Sequence, residues 1–370
     1  MHSKRDLTYL NMTLALAKKG EGKTSPNPMV GAVIVKNNRI IAAGYHRYAG
    51  GPHAEINALK KAGRNTAGAT LYVSLEPCAH FGRTPPCAAA IISAGIRRVV
   101  IGMTDPHHVN NGKGVKELRR AGIKIDFAND QKPFLALNEI FIKYIKSKMP
   151  FVIVKAGQSI DGKIATKTGE SKWITGEASR KYAQNLRNKV DAIMVGVNTL
   201  LIDDPFLSSR VGGKIKKEKP IKIVVDTFLK TSVNANIFKQ KSPAPVIIVT
   251  TNKAAKAKVK KLEKKGAAVW YCPADKNGNI DLKSLMQELG KREISSVLVE
   301  GGGELIGSCF DQKLVDKVCF FIAPKIIGGQ NAISSVSGTG IDYLRKAVKL
   351  QHMKVTQLRE DIMVEALIKY

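Results

Sequence analysis

Pro77-Cys78-Ala79-His80-Phe81-Gly82-Arg83-Thr84-Pro85-Pro86-Cys87 is the stretch that decides the fold of the first part of this 370-residue chain. It joins an apolar run, Ala69–Leu75, to a segment of helical spacing, Cys87–Ala94. A second short segment, Pro52-His53-Ala54-Glu55, opens another helical pattern. Both segments belong to a region in which short apolar strands alternate with helical patterns, and this alternation is typical of an α/β fold.

The rest of residues 1–146 repeats this alternation of strands and helices. The expected strands are Val30–Val35, Ile40–Ala43, Ala69–Leu75, Arg98–Gly102 and Ile123–Phe127. The expected helices are Leu7–Ala17, His53–Ala62, Cys87–Ala94, Val115–Ala121 and Pro133–Lys146. The polar stretch Ser147-Lys148-Met149-Pro150 predicts a domain boundary, because proline cannot continue a helix and favours an extended residue before it.

Residues 150–370 begin a second alternation of strands and helices. The expected strands are Phe151–Ala156, Ala192–Val197, Ile221–Asp226, Val246–Thr250, Ser296–Glu300 and Val318–Ile322. Helical patterns between several of them indicate an α/β sheet that is largely parallel in its core. Two Lys-rich stretches predict an exposed loop, Arg210–Lys222, and an exposed helix, Lys253–Lys265.

Composition excludes several classes of protein. Apolar residues make up 44% of the chain and charged residues 24%, which is ordinary for a protein with a sizeable core and excludes extensive disorder. No run reaches the roughly 18–20 apolar residues of a membrane span. The basic start before Leu7–Ala17 fits a signal peptide, but the helical spacing and the following Lys18-Lys19 favour an amphipathic helix. Five cysteines favour reduced thiols or metal ligands over disulfides.

The formal net charge of +30 predicts a partner that carries phosphate. Nucleic acid is one candidate, and a small phosphorylated substrate is another. The basic residues are mostly lysines spread along the whole chain, with little aromatic interleaving. The pattern therefore favours the small substrate.

His53, Cys78 and Cys87 form a ligand set that suits Zn²⁺, which prefers nitrogen and sulfur donors. Three protein ligands leave a fourth position for water, whose pKa zinc lowers toward about 7. Glu55 follows the first ligand by two residues, so it is the candidate proton carrier between this water and a leaving amine. The alternatives are a closed, structural site in which His80 is the fourth ligand, and three residues that are unrelated to one another.

The His-x-Glu and Pro-Cys pairing is typical of the zinc nucleoside and nucleobase deaminases. Here the two cysteines are nine residues apart instead of three, and the loop between them resembles the bifunctional riboflavin-biosynthesis deaminase/reductase family. Ser25-Pro26-Asn27-Pro28-Met29-Val30-Gly31, Gly44-Tyr45-His46 and Gly50–Glu55 extend this resemblance. It implies that residues 1–146 form a cytidine-deaminase-like three-layer domain. His46, His80 and Arg83 either line its substrate pocket or shape the loop.

A glycine-rich segment in the second half, Val299–Ser308, follows a buried strand and opens a helix. Such a turn can bind an anion, although it matches neither the dinucleotide motif nor the P-loop, and a simple tight turn is the alternative. Lys155–Lys163, Gly169–Thr175 and Val195–Leu200 precede it in an order that resembles the reductase half of the same family. The resemblance implies that residues 150–370 form a dihydrofolate-reductase-like α/β domain that uses NADPH.

The resemblance also implies roles for individual residues in the second half. The implied cofactor contacts are Gly157, Trp173, Thr199, Asp203, Thr227, Gly302, Gly303, Glu304, Leu305, Ile306, Gly307 and Ser308. The implied substrate contacts are Ser171, Arg187, Leu207, Arg210 and Glu300. Arg187 and Arg210 can each hold a phosphate with two hydrogen bonds. Other interpretations place Trp173 in the core, Arg187 on a solvated helix face, and Asp203 in a simple turn.

Together, the resemblance implies a cytoplasmic enzyme with one zinc ion, NADPH and two consecutive reactions. The first deaminates 2,5-diamino-6-(5-phosphoribosylamino)pyrimidin-4-one, and the second reduces the ribosyl group to ribityl, giving 5-amino-6-(5-phosphoribitylamino)uracil. No nucleic acid and no membrane are expected as partners, and the family implies a homo-oligomer formed through the reductase domain. Two alternatives are a tRNA adenosine deaminase with an accessory domain and a non-catalytic zinc protein that binds nucleotides.

Overall fold

The chain folds into two compact units, Met1–Lys148 and Met149–Tyr370. This computed structural model describes residues 4–81, 85–211, 214–215, 220–239 and 244–370, and at 210, 211, 214 and 215 it describes the backbone alone. Each unit has its own sheet and its own hydrophobic core. Within the described part of the chain, no helix combines the length and the apolar character needed to cross a membrane.

The first unit is a five-stranded mixed sheet with helices on both faces. Its strands are β1 (Gly31–Lys36), β2 (Arg39–Tyr45), β3 (Thr70–Val73), β4 (Arg98–Ile101) and β5 (Lys124–Phe127). Its helices are α1 (Lys4–Ala17), α2 (Ala54–Ala62), α3 (Cys87–Ser93), α4 (Lys113–Arg120), α5 (Lys132–Leu137) and α6 (Glu139–Ser147). The strand order is β2-β1-β3-β4-β5, in which β1 is antiparallel to both neighbours and β3, β4 and β5 are parallel.

Two glycines allow helices to approach the two faces of this sheet closely. A Cβ on Gly31 of β1 would collide with the backbone of α1, and a Cβ on Gly44 of β2 would collide with the backbone of α2. Gly44 is paired with Ala32, the residue after Gly31, so the two glycines face opposite sides of the sheet. The sheet therefore lies between α1 and α2 as the middle of three layers.

The single helix expected over Pro133–Lys146 is wrong, because the chain breaks it at Asn138. Asn138 is buried with φ −110° and ψ 22°. Its side-chain amide donates to the carbonyl of Met29 at 3.1 Å, and its side-chain oxygen accepts from the amide of Met29 at 2.9 Å. These long-range hydrogen bonds fix the side chain between α5 and α6, and periodicity cannot reveal them.

The second unit is built on a nine-stranded sheet. Its strands and those of two small ribbons are β6 (Phe151–Ser159), β7 (Lys163–Ala165), β8 (Ala192–Gly196), β9 (Arg210–Val211), β10 (Lys214–Ile215), β11 (Ile221–Val225), β12 (Val246–Thr250), β13 (Ala267–Tyr271), β14 (Ser296–Glu300), β15 (Lys317–Ala323), β16 (Ile333–Ser334), β17 (Lys349–Leu358) and β18 (Asp361–Lys369). Its helices are α7 (Glu177–Arg187), α8 (Val197–Asp203), α9 (Lys256–Lys264), α10 (Leu282–Lys291) and α11 (Gly303–Asp311).

The strand order of the large sheet is β13-β12-β11-β8-β14-β6-β15-β18-β17. The strands from β13 to β15 are parallel, which confirms the expected parallel core. Antiparallel β18 and β17 complete one edge and were not predicted, nor was β13 at the other edge. The residues of β17 are exposed or half-buried along its whole length, and a register shift between Gln351 and Lys354 interrupts the alternation of apolar and polar residues by which a strand is recognised in sequence.

The first residue of β18 supports the start of α7. Gly176 precedes this helix and has no side chain to cap it. Asp361 does so instead, because its Oδ2 accepts hydrogen bonds from the Gly176 amide at 2.8 Å and from the Ser179 hydroxyl at 2.5 Å. The C-terminal strand pair is thereby attached to the helix that ends at Arg187.

Neighbouring strands β8 and β14 define the topological switch point of the large sheet. The chain leaves β8 through α8 toward β11 on one side, and it leaves β14 through α11 toward β15 on the other. Ligands of open α/β sheets bind at such a point, outside the carboxyl ends of the strands.

The prediction of an exposed loop over Arg210–Lys222 is wrong at its last residue, because Lys222 lies in β11 and is buried. Burial lowers the pKa of its ammonium. The expected exposed helix over Lys253–Lys265 is present as α9.

Candidate active sites

Three side chains of the first unit meet at the junctions between its sheet and its helices. His53 immediately precedes α2, Cys78 follows β3, and Cys87 is the first residue of α3. One ligand atom from each of these residues lies within 4.8 Å of the other two. The fold thus gathers the three residues that the sequence singled out as a ligand set.

The distances within this cluster suit a small cation. The Nδ1 of His53 is 3.3 Å from the Sγ of Cys87 and 3.6 Å from the Sγ of Cys78. The Cys87 amide donates to the Cys78 sulfur at 3.3 Å, which orients that sulfur. One imidazole and two thiols are the donors that zinc prefers, so the residues fit the ion. Among the described residues the group contains only these three, and His80 is not part of it.

Electrostatics within the cluster separate its two thiols. The hydrogen bond from the Cys87 thiol lowers the pKa of Cys78 to about 4, while that bond and burial raise the pKa of Cys87. The hydrogen bond with Cys78 raises the pKa of His53. A cation shared by all three residues favours the deprotonated form of both sulfurs, because a coordinated thiol loses its proton.

Glu55 lies beside the cluster in the first turn of α2 and is 3% exposed. Burial raises the pKa of its carboxyl to about 7, and the carboxyl interacts with the Cys87 thiol. A carboxyl in this state can accept and return a proton near neutral pH.

A polar loop that follows β4 borders the cluster and was missed in the sequence. Asn110 accepts a hydrogen bond from the amide of Ala79, the residue after Cys78, at 2.9 Å. His107 in the same loop stacks between His80 and His108, with ring centroids 6.1 and 4.8 Å apart. The position of Asp105-Pro106-His107-His108 after a buried parallel strand was the signal available in the sequence.

The remaining candidates of the first unit are partly placed. The ring of His46 lies 5.5 Å from that of His53, and its Nδ1 is 3.1 Å from the carbonyl of Pro52. It therefore supports the start of the segment that carries His53 and Glu55. His80 stacks with His107, whereas Arg83 lies outside the described residues.

The second unit has a cavity of about 510 Å³ at the carboxyl ends of β8, β11 and β14. Gly301 and Gly302 form its turn with φ of 82° and 80°, a conformation that glycine adopts freely. A Cβ on either glycine would crowd the side chain of Thr199. A turn without side chains beside a helix N-terminus and a wide cavity fits a dinucleotide that carries phosphates.

The implied cofactor contacts divide into three groups in the structure. Six of them line the cavity: Thr199, Thr227, Gly302, Glu304, Leu305 and Ser308.

A second group, Gly303, Ile306 and Gly307, faces inward and does not line the cavity. Ile306 is buried in the core, and a Cβ on Gly303 or Gly307 would collide with the backbone carbonyl of Ser334 or of Ser337. Close packing of the chain between Ser334 and Gly338 explains why these two positions are glycine, and their contact with the cofactor stays a prediction.

The third group lies around Trp173, beyond the residues that line the cavity. Trp173 is 65% exposed, and the Cζ of Arg180 lies 4.5 Å from the centre of its ring. The interpretation that places Trp173 in the core is therefore wrong. The Ser171 hydroxyl donates to Asp203 at 2.9 Å, which shows that Asp203 does more than begin a turn. Gly157 leaves room for Thr175, whose side chain would lie 3.3 Å from a Cβ at that position.

Arg187 and Glu300, both implied substrate contacts, form a buried ion pair. The Nε and Nη2 of Arg187 donate to the two oxygens of Glu300, each at 2.7 Å, and Nη1 donates to the carbonyl of Ser208 at 3.0 Å. The expectation that Arg187 binds a phosphate through two hydrogen bonds is therefore corrected, because the Nε and Nη2 of its guanidinium face Glu300. The solvated position proposed for Arg187 is wrong as well.

Lys155 joins this pair and was not singled out in the sequence. Its Nζ is 3.8 Å from Glu300, whose pKa the charges of Arg187 and Lys155 lower to about 2 against the effect of burial. Two further implied substrate contacts are Leu207 and Arg210. Leu207 is buried, and the side chain of Arg210 lies outside what the structure describes.

Comparisons with known proteins agree for both units. The family model of the RibD C-terminal domain matches residues 150–364, and that of the cytidine and deoxycytidylate deaminase zinc-binding region matches residues 3–103. The riboflavin biosynthesis protein RibD of Actinobacillus pleuropneumoniae is 42% identical over 98% of this chain and 95% of its own. This chain belongs to the RibD family.

Solved structures of RibD proteins have the same fold as this chain. RibD of Acinetobacter baumannii (form 1) superposes with a TM-score of 0.87 at 33% identity, over 99% of both chains. A Thermotoga maritima protein described as a diaminohydroxyphosphoribosylaminopyrimidine deaminase/5-amino-6-(5-phosphoribosylamino)uracil reductase superposes with a TM-score of 0.84 at 34% identity, again over 99% of both chains.

Membership of the RibD family confirms the predicted fold class and the predicted class of enzyme. The chain is a bifunctional deaminase/reductase of riboflavin biosynthesis, with a cytidine-deaminase-like domain followed by a RibD reductase domain. Zinc is the metal of the first domain, where the donor set of His53, Cys78 and Cys87 fits it, and NADPH is the cofactor of the second.

Proposed function

We propose that Met1–Lys148 deaminates 2,5-diamino-6-(5-phosphoribosylamino)pyrimidin-4-one and that Met149–Tyr370 reduces the ribosyl group of the product to ribityl. The observation that carries the deaminase assignment is the buried Glu55 beside the cluster of His53, Cys78 and Cys87. A structural zinc site needs no such carboxyl. The printed description of the Thermotoga maritima relative supports the two substrates.

In the proposed deamination the chain positions a metal and moves a proton. His53, Cys78 and Cys87 hold zinc, which when bound supplies the Lewis acidity that makes water nucleophilic near neutral pH. Glu55 accepts the proton that the attacking water loses and delivers it to the departing amine. Its burial excludes bulk water that would compete for this proton.

In the proposed reduction the chain positions a cofactor and a sugar. NADPH, when bound, supplies the hydride for the sugar carbon. The turn of Gly301 and Gly302 admits the phosphates of the cofactor to the N-terminus of α11. Glu300 and Lys155, at the ends of adjacent strands, and Arg187 form the polar floor on which we place the substrate.

We also propose that the protein acts in the cytoplasm on a small phosphorylated pyrimidine, without nucleic acid, as a homo-oligomer formed through the second unit. Support for the oligomer comes from β17, an edge strand with exposed Leu350, Met353 and Val355. An exposed edge strand with apolar side chains is a surface that a second copy can cover.

The deaminase proposal is tested by ammonia release from the diaminopyrimidine substrate. We expect Glu55→Gln to lower the rate at least about a hundredfold, since it removes the proton carrier. Its zinc content, measured by atomic absorption, should stay at one ion per chain. Glu263→Gln, the same change on an exposed residue of α9, is the matched control. Normal ammonia release by Glu55→Gln would contradict the proposed role.

A further inference from the structure

The loop that follows β11 presents two unassigned side chains to the cavity of the second unit. Phe228 and Lys230 both line this cavity and both are exposed, Phe228 to 60%. The ammonium of Lys230 lies 5.8 Å from the centre of the Phe228 ring. An exposed aromatic face on a cavity wall offers a stacking surface for a planar base, and the adjacent cation offers a partner for a phosphate.

The carboxylate of Asp226, at the start of this loop, accepts its hydrogen bonds from groups of the loop itself. Asp226 is completely buried, and its oxygens accept hydrogen bonds from the amides of Lys230 at 2.8 Å and Thr231 at 2.7 Å, and from the Thr231 hydroxyl at 2.7 Å. In nucleotide-binding α/β sheets, an acidic residue beside the adenosine ribose binds the 2′-hydroxyl and so favours NADH. Asp226 cannot do so, because it holds the loop that carries Lys230.

Two further carboxylates line the cavity, and each has internal partners. Asp275 accepts hydrogen bonds from the amides of Asn277 and Asn279, at 2.8 and 2.9 Å. Glu304 accepts one from the side-chain amide of Asn198 at 3.3 Å. Among the described residues that line the cavity, Lys230 is the only cationic one.

The sheet order places this loop at the adenosine end of a bound dinucleotide. Glu300, the proposed substrate residue, ends β14, whereas Thr227–Lys230 follow β11, and β8 lies between the two strands. Neighbouring strands are about 4.8 Å apart, so roughly 10 Å separates the end of β11 from the end of β14. The nicotinamide must reach the substrate, and the glycine turn after β14 accepts the phosphates, which leaves the far side of the cavity for adenosine.

We infer that Phe228 stacks against the adenine of NADPH and that Lys230 binds its 2′-phosphate, so that Lys230 makes this chain prefer NADPH to NADH. This inference rests on the proposed reductase function. The lysine contributes to affinity through one charged interaction that NADH cannot make, whereas the aromatic ring serves both cofactors.

Binding of the oxidised nucleotides tests the inference without turnover. Calorimetric titration of the full-length wild-type protein should give tighter binding of NADP⁺ than of NAD⁺. Lys230→Ala should weaken NADP⁺ binding about tenfold or more and leave NAD⁺ binding within about twofold. Lys230→Arg should restore the preference, and Phe228→Ala should weaken both nucleotides alike. Lys239→Ala, on an exposed lysine that does not line the cavity, is the matched control.

Several outcomes would overturn the inference. They are an unchanged preference in Lys230→Ala, an equal loss of both nucleotides in that variant, or no preference in the wild type. The proposed function can fail separately. A wild-type protein that prefers NADP⁺ through Lys230 but oxidises no NADPH with the deaminated substrate would refute the reductase proposal and leave the inference standing. If the wild-type protein oxidises NADPH, and Lys230→Ala lowers the rates with NADPH and NADH equally or not at all, the inference fails and the reductase proposal stands.

Discussion

Removing the carboxylate of Glu300 should destabilise the second unit strongly. Glu300 and Arg187 have side chains that are only 6% and 16% exposed, and two hydrogen bonds of 2.7 Å join them. Glu300→Gln keeps the volume of the side chain but leaves the guanidinium without a full counter-charge. Breaking a buried ion pair in this way typically costs about 3–5 kcal/mol.

The pKa of Glu300 gives a second estimate of the same magnitude. The neighbouring cations lower it from 4.5 to about 2, and each pKa unit corresponds to about 1.4 kcal/mol, so the ionised carboxylate stabilises the fold by about 3 kcal/mol at neutral pH. Because the folded-state pKa is the lower one, this contribution is complete above pH 4.5. It is lost progressively as the pH falls from 4.5 to about 2.

Tryptophan fluorescence provides the assay. Both tryptophans of the chain, Trp173 and Trp270, lie in the second unit, so urea unfolding followed at these residues reports that unit alone. We expect Glu300→Gln to lower the free energy of unfolding by about 3 kcal/mol at pH 7. The difference from wild type should narrow as the pH is lowered below 4.5.

An exposed ion pair provides the control. Glu288 of α10 contacts Arg292, the residue after this helix, at 2.8 Å, but the Glu288 side chain is 41% exposed. Glu288→Gln should therefore change the free energy of unfolding by less than about 1 kcal/mol. Equal small losses in Glu288→Gln and Glu300→Gln would refute the reasoning. So would a difference between Glu300→Gln and wild type that does not change between pH 7 and pH 3.

Two other predictions concern the metal and the edge strand. Removing zinc with a chelator should abolish ammonia release, because the cation held by Cys78 and Cys87 is then absent. Oxidation of NADPH with the deaminated substrate should continue. Loss of both activities would contradict the expectation that the two sites act independently. Met353→Lys should shift the protein toward monomers in sedimentation experiments, because it puts a charge on an edge residue that is 63% exposed. An unchanged sedimentation coefficient would refute association through β17.

Most of the first site could be predicted from the sequence, because its chemistry is local. His53 and Glu55 are two residues apart, and Cys78 and Cys87 flank one loop, so short segments carry nearly the whole ligand set. The loop of Asp105–Asn110 reaches the site only through the parallel pairing of β3 and β4. That pairing joins residues about thirty positions apart, and one sequence does not display it.

The second site was harder to predict because its residues meet through tertiary structure. Glu300 and Arg187 were both singled out as contacts of a ligand, yet the structure pairs them with each other. Gly303 and Gly307 belong to a glycine-rich turn, but their small size serves the packing of Ser334–Gly338. Sequence identifies residues that need a polar partner or a close neighbour. It does not say whether that neighbour is a ligand or the protein itself.

The attachment of Asp361 to the start of α7 gives the C-terminus a structural task. The eleven residues of this helix form a rod of about 16 Å, with the terminal strand pair at one end and Arg187 at the other. A chain that ends before β18 would lack Asp361, so the N-terminus of α7 would lose its cap. The guanidinium of Arg187, at the other end of this helix, would then be held less rigidly. Through Asp361, the C-terminal strand pair thus helps to position Arg187, one of the residues on which we place the substrate.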